Sequence, residues 1–76
     1  LENNQYYWND LIGLNVYLDD GKEIGVLSEI IETGSNDVIV VKGDKEILIP
    51  YIIGESVKKV IIEEKKIIID KIYYEQ

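Results

Sequence analysis

From Gly13 to Leu18 the chain alternates, with Leu14, Val16 and Leu18 on one side and Asn15 and Tyr17 on the other. A period of two is that of a strand with one buried face. Asp19-Asp20-Gly21-Lys22 comes next, and Asp-Gly between alternating segments predicts a hairpin. Ile24 and Val26 open the return strand, and Gly25 between them marks a bulge or a point of close backbone approach. From Leu27 to Thr33 the period blurs, because Ile30 and Ile31 are both apolar. Gly34-Ser35-Asn36-Asp37 supplies the next turn.

Val38-Ile39-Val40-Val41 reads as a strand covered on both faces. Gly43-Asp44-Lys45 turns it into Glu46-Ile47-Leu48-Ile49, which Pro50 ends because it has no N–H for a ladder. Residues 51–56 look irregular, with room for one helical turn. Val57 to Ile62 and Ile67 to Asp70 form a last hairpin around Glu63-Glu64-Lys65-Lys66. No segment has a convincing amphipathic helical period, and there is no internal repeat. Five or six short, mostly antiparallel strands predict an all-β fold. A small barrel would remove exposed edges; a compact sandwich is the alternative.

Composition strengthens the β reading. The chain of 76 residues carries fifteen Ile, seven Val and six Leu, with no Ala, Met, Phe or Cys. β-Branched side chains suit a pleated surface and lose rotamer freedom in a helix. The length suffices for one domain with one core. No apolar run reaches a membrane span and no signal peptide is visible, so a cytoplasmic location is expected. The absent Met, and the polar lead Glu2-Asn3-Asn4-Gln5, suggest a piece of a longer protein. Residues 1–5 are then a linker end, 6–72 the domain and 73–76 a tail.

Charge narrows the partners. Fifteen acidic residues against eight Lys, with no Arg, give a net charge of −7. Nucleic-acid binders show the opposite balance, and the guanidinium fork that reads phosphate or guanine is missing. Direct nucleic-acid binding by this domain is therefore not expected. A basic protein would be steered towards it.

Catalytic chemistry finds few carriers. Without His or Cys the chain lacks the commonest general base, thiol nucleophiles and most transition-metal ligands. Ser28, Ser35 and Ser56 have no His partner. The pairs Asp19-Asp20 and Glu63-Glu64 fall in turns, whose tips rarely supply the cleft that catalytic carboxylates need. Asp19-Asp20-Gly21 fails as a calcium loop, since the loop glycine would put Val16 at the first ligand position. No enzyme activity, cofactor or metal is expected.

Three of the seven aromatics adjoin, as Tyr6-Tyr7-Trp8. A strand cannot bury three consecutive rings on one face, and Tyr and Trp are enriched where proteins grip one another. These three are the candidate partner-binding residues. Tyr6 and Tyr7 suit an outward contact with a partner or a preceding domain, whereas Trp8 suits a plug over the core. Tyr17 and Tyr51 read as barrel surface or cover. Tyr73-Tyr74 is either a frayed tail or an added contact.

Tyr6-Tyr7-Trp8-Asn9-Asp10-Leu11-Ile12-Gly13, then Val16-Tyr17 before an Asp-Gly turn, resembles the C-terminal PRC-barrel domain of the bacterial RimM family of ribosome maturation factors. So does the stretch from Glu29 through Thr33-Gly34-Ser35-Asn36-Asp37-Val38. Val40-Val41-Lys42-Gly43 and Glu46-Ile47-Leu48-Ile49-Pro50 continue the match, which runs from about residue 5 to residue 70. One departure is the end, where Lys71-Ile72-Tyr73-Tyr74-Glu75-Gln76 replaces the family's frequent Pro-Gly tail.

The resemblance implies a PRC-type barrel preceded by an N-terminal β-barrel domain. It also implies an assembly factor that binds the immature small ribosomal subunit and supports maturation of its rRNA. The implied contact is a basic head protein, number nineteen of the small-subunit series, with adjacent tyrosines matching Tyr6-Tyr7 taking part. A PRC-barrel adaptor of some non-ribosomal assembly is the alternative, since fold alone does not fix function.

Overall fold

The computed structural model describes the backbone of residues 8–74 and the side chains from Asp10 to Tyr74. A one-turn helix α1 (Trp8–Leu11) leads into β1 (Asn15–Leu18), β2 (Glu23–Ile31), β3 (Val38–Lys42), β4 (Glu46–Pro50), β5 (Val57–Ile61) and β6 (Lys66–Ile69). Single 3₁₀ turns cover Ile62–Glu64 and Lys71–Tyr73. The six strands form one sheet in the order β4-β3-β2-β1-β6-β5. All neighbours pair antiparallel except β1 and β6, which are parallel. The expected all-β, mostly antiparallel barrel architecture is present. No ladder joins the outermost strands β4 and β5 among the described residues.

One core fills the concave side. It contains Leu11, Leu14, Val16, Leu18, Ile24, Leu27, Ile39, Val41, Ile49, Val57, Ile67 and Ile69. Each strand thus contributes at least one buried aliphatic side chain, and α1 adds Leu11. The expected alternation of β1 holds, with Val16 and Leu18 buried and Asn15 and Tyr17 half-exposed. β3 is buried on both faces at Ile39, Val40 and Val41.

The blurred period of β2 has a structural cause. Its core-facing residues are Ile24, Leu27 and Ile30, a spacing of three rather than two. Against β1 the register steps from Val16↔Gly25 to Tyr17↔Glu23, leaving Ile24 as an extra residue. Against β3 it steps from Leu27↔Val41 to Glu29↔Val40, leaving Ser28 as the extra residue. Each bulge resets the alternation by one residue and bends the strand. The Ser28 hydroxyl donates to the Val40 carbonyl at 3.3 Å, which ties the second bulge to its neighbour. A third bulge leaves Lys58 extra in β5, so Val57 and Val60 both reach the core. Bends of this kind let a short sheet wrap around its own interior.

Gly25 is the point of close approach that its position suggested. A Cβ there would lie 2.4 Å from the Lys42 carbonyl oxygen, and one on Gly43 would lie 2.0 Å from the Ile24 carbonyl oxygen. The β1–β2 turn forms as expected: Gly21 has φ 98° and the Lys22 N–H donates to Asp20 Oδ1 at 3.0 Å.

Pro50 ends β4 opposite Val38. Tyr51 N–H donates to the Asp37 carbonyl at 2.8 Å and Gly43 N–H to the Lys45 carbonyl at 3.2 Å, which fixes the phase of the ladder. In that phase Ile47 and Ile49 bond to β3, while the backbone groups of Glu46, Leu48 and Pro50 point away from the sheet. The missing N–H of Pro50 therefore leaves no gap in the ladder. Beyond it, Ser56 is fully buried and organises the irregular segment. Its hydroxyl donates to the Pro50 carbonyl and accepts from Ile52 N–H, the latter at 3.1 Å.

The last connection differs in detail from a simple four-residue turn. β5 ends at Ile61, residues Ile62–Glu64 form a 3₁₀ turn, Lys65 takes a left-handed φ of 54° and Lys66 already belongs to β6. The Lys65 carbonyl accepts from both the backbone N–H and the side-chain amide of Asn15, which couples this turn to the start of β1.

Candidate partner-binding face

Tyr6 and Tyr7 lie outside the described residues. Trp8 enters with its backbone as the first residue of α1; its side chain is also outside them. What the structure does show is the ground on which this segment stands. Leu11 anchors α1 in the core, and Leu14 N–H returns to the Leu11 carbonyl at 3.1 Å. Gly13, at φ 96°, donates to the Leu27 carbonyl at 2.8 Å, locking the exit of α1 against β2. Ile12 is 43% exposed beside this lock. Asp10, Ile12, Gly13, Leu14, Ile62 and Lys65 line a shallow groove of about 290 Å³ here.

The opposite candidates fall into structural roles. Asp19 and Asp20 are exposed in the β1–β2 turn, and Asp20 spends one oxygen on the Lys22 N–H. Glu63 and Glu64 are exposed, with Glu64 at 3.3 Å from Lys66. Ser28 and Ser56 bond to backbone carbonyls, as above. Among the described residues no group of three or more His, Cys, Asp or Glu could hold a metal ion. Likewise, no described helix is long and apolar enough to cross a membrane.

Among the described residues, Asp70 is the carboxylate with a resolved perturbation. The Ile72 N–H, at 3.1 Å, holds it below its ordinary value; desolvation opposes this and Lys58, at 3.4 Å, adds to it. The bond caps the terminal 3₁₀ turn, so the shift belongs to architecture rather than catalysis.

Sequence reasoning did not find the surroundings of Tyr74. Tyr73 and Tyr74 are half-buried against the core. Lys45 Nζ lies 4.5 Å and Lys22 Nζ 5.3 Å from the Tyr74 ring centroid, within cation–π range. The ring thus ties the 3₁₀ turn Lys71–Tyr73 to two separate hairpin turns. A groove of about 260 Å³ beside it is lined by Lys22, Gly25, Gly43, Asp44 and Tyr74 among others. The Tyr73-Tyr74 doublet signalled this site, but its partners come from distant turns. Tyr17 and Tyr51 serve as cover: Lys66 Nζ lies 5.4 Å from the Tyr17 centroid, and Tyr51 packs against the core.

The PRC-barrel domain profile matches residues 3–76, almost the whole chain. The chain belongs to the PRC-barrel family. Its PRC barrel is 55% identical over 69 residues to the ribosome maturation factor RimM of Staphylococcus aureus strain bovine RF122 / ET3-1. That match covers 91% of this chain and 41% of the relative. RimM of Staphylococcus aureus strain JH9 is 54% identical over the same share. The crystal structure of RimM from Pseudomonas aeruginosa superposes with a TM-score of 0.82 at 36% identity, over 91% of this chain and 45% of that one. The chain thus spans less than half the length of these relatives, and the RimM resemblance read from the sequence is borne out at the level of the domain.

Proposed function

We propose that this PRC barrel is the C-terminal module of a ribosome assembly factor. It binds the immature small ribosomal subunit in the cytoplasm through a basic head ribosomal protein and so supports maturation of the small-subunit rRNA. The observation that carries this reading is the 55% identity to a ribosome maturation factor across 91% of the chain. The Pseudomonas aeruginosa relative is described by 16S ribosomal RNA processing, which points the same way.

Physical chemistry supports recognition rather than catalysis. A surface of net charge −7 with no Arg repels nucleic acid and attracts a basic protein, raising encounter rates at low salt. In this reading Tyr6 and Tyr7 are the anchors that grip the partner, and Trp8 is the third partner-binding residue. Such aromatic groups carry a large share of binding energy when they fill a partner's pockets. The exposed Ile12 and its groove extend this face next to the segment.

The test is Tyr6→Ala with Tyr7→Ala in the full-length protein, measured by binding to purified immature small subunits. The expected loss is about tenfold or more in affinity, with the thermal midpoint preserved. Unchanged affinity in a folded protein would remove the anchoring role.

A further inference from the structure

The outward face of β2, β3 and β4 is built unlike a solvated barrel wall. Its three cross-strand rows are Val26–Lys42–Glu46, Glu29–Val40–Leu48 and Ile31–Val38–Pro50. Six of these nine residues are apolar. Paired residues point to the same side of a sheet, and the alternate rows Leu27–Val41–Ile47 and Ile30–Ile39–Ile49 face the core. Val40 is only 4% exposed yet stands apart from the core cluster, so it is packed beneath its neighbours on the outer wall. Leu48 is 59% and Ile31 41% exposed. Among the described residues no strand pairs with β4 on its outer edge.

The edge beside it is open as well. β4 is the last strand in the sheet, and its open outward backbone groups are the N–H and carbonyl groups of Glu46 and Leu48, the Pro50 carbonyl being taken by the Ser56 hydroxyl. An edge with alternating donors and acceptors next to an apolar row accepts an added strand, with backbone bonds giving affinity and side chains giving choice. Pro50 closes the far end, limiting such a strand to a short register.

Charge selects the occupant. Glu29 and Glu46 stand in the outward rows against Lys42, which lies 3.7 Å from Glu46, and the chain as a whole carries a net charge of −7. That charge repels a second copy of the same chain. We infer that this wall and the β4 edge dock an extended, Lys- or Arg-bearing segment of a basic protein. The segment adds as a strand beside β4, with an apolar side chain on the outer face against Leu48. The inference rests on the assembly-factor reading above and assigns that reading a second contact, separate from Tyr6 and Tyr7.

The experiment measures amide hydrogen exchange of the full-length protein, free and bound to purified immature small subunits, with binding of Leu48→Asp in parallel. Slower exchange of the outward Glu46 and Leu48 amides of β4 on binding is expected, with affinity of the variant lowered about tenfold or more and its thermal midpoint kept. Particle binding that leaves β4 exchange unchanged overturns this docking surface while the assembly reading stands. Absence of particle binding by the wild type overturns the assembly reading and this inference together. Protection of the outward Glu46 and Leu48 amides already present in the free protein also overturns it: concentration-dependent protection assigns the edge to a second copy, and concentration-independent protection assigns it to another part of the same chain.

Discussion

Gly43→Ala is the sharpest test of how β2 and the β3–β4 turn are held together. The added Cβ would fall 2.0 Å from the Ile24 carbonyl oxygen and 3.1 Å from Gly25 Cα. Ordinary Cβ–oxygen contact begins near 3.4 Å, so more than an ångström of movement is needed, and both obstacles are backbone. Overpacking in a tight site costs about 1–3 kcal/mol. Here no flexible side chain can yield, so we expect the upper end, about 3 kcal/mol.

The informative control is Gly21→Ala. Gly21 has φ 98° but nothing within 4 Å of a Cβ, so only the backbone penalty of about 1–2 kcal/mol applies. A domain of this size has a stability of roughly 4–11 kcal/mol. Each kcal/mol shifts its thermal midpoint by about 4–8 °C. Thermal and urea unfolding should therefore show Gly43→Ala falling by at least 12 °C or so, and Gly21→Ala by about half as much. If Gly43→Ala proves as mild as Gly21→Ala, the backbone contact between the Ile24–Gly25 and Lys42–Gly43 segments is not what limits that position.

Ser56→Ala should cost about 1–3 kcal/mol, because Ile52 N–H loses its acceptor inside the fold; an unchanged urea midpoint would show that this segment finds other partners. Asp70→Asn tests the cap of the last 3₁₀ turn through pH. The folded-state carboxyl is held below its ordinary value of 3.8, so its stabilisation is complete above the unfolded-state value and is lost as pH falls through the folded one. Urea unfolding should separate wild type from Asp70→Asn at neutral pH, with the gap closing as pH drops below about 3.8. A gap independent of pH would refute the linkage.

Where neighbouring residues decide the structure, the sequence was readable. The Asp-Gly turn, the one-faced alternation of β1 and the two-faced burial of β3 all follow from local chemistry. β2 was harder, since Ile24, Leu27 and Ile30 follow a period of three that belongs to neither a regular strand nor a helix. Two bulges produce it, and each exists only in relation to a neighbouring strand. The parallel pairing of β1 with β6 leaves no local mark at all, because neither strand's pattern names its partner. Similarly, the Tyr74 ring meets Lys22 and Lys45 only once two hairpins and the terminal turn converge. Tyr6, Tyr7 and Trp8 were singled out by chemistry alone, from adjacency and scarcity.

That one parallel ladder also sets the order in which the chain can fold. β1 lies between β2 and β6, and its partners on the β6 side run from Lys66 to Ile69. The β1-to-β4 meander needs only short loops, whereas joining Asn15 to Lys66 closes about two-thirds of the chain at a loop entropy of about 3.5 kcal/mol. Long-range closures of this kind slow folding. During synthesis β1 must wait with one edge bare until β6 has emerged. The domain thus completes its own fold only after nearly all of it has left the ribosome that makes it.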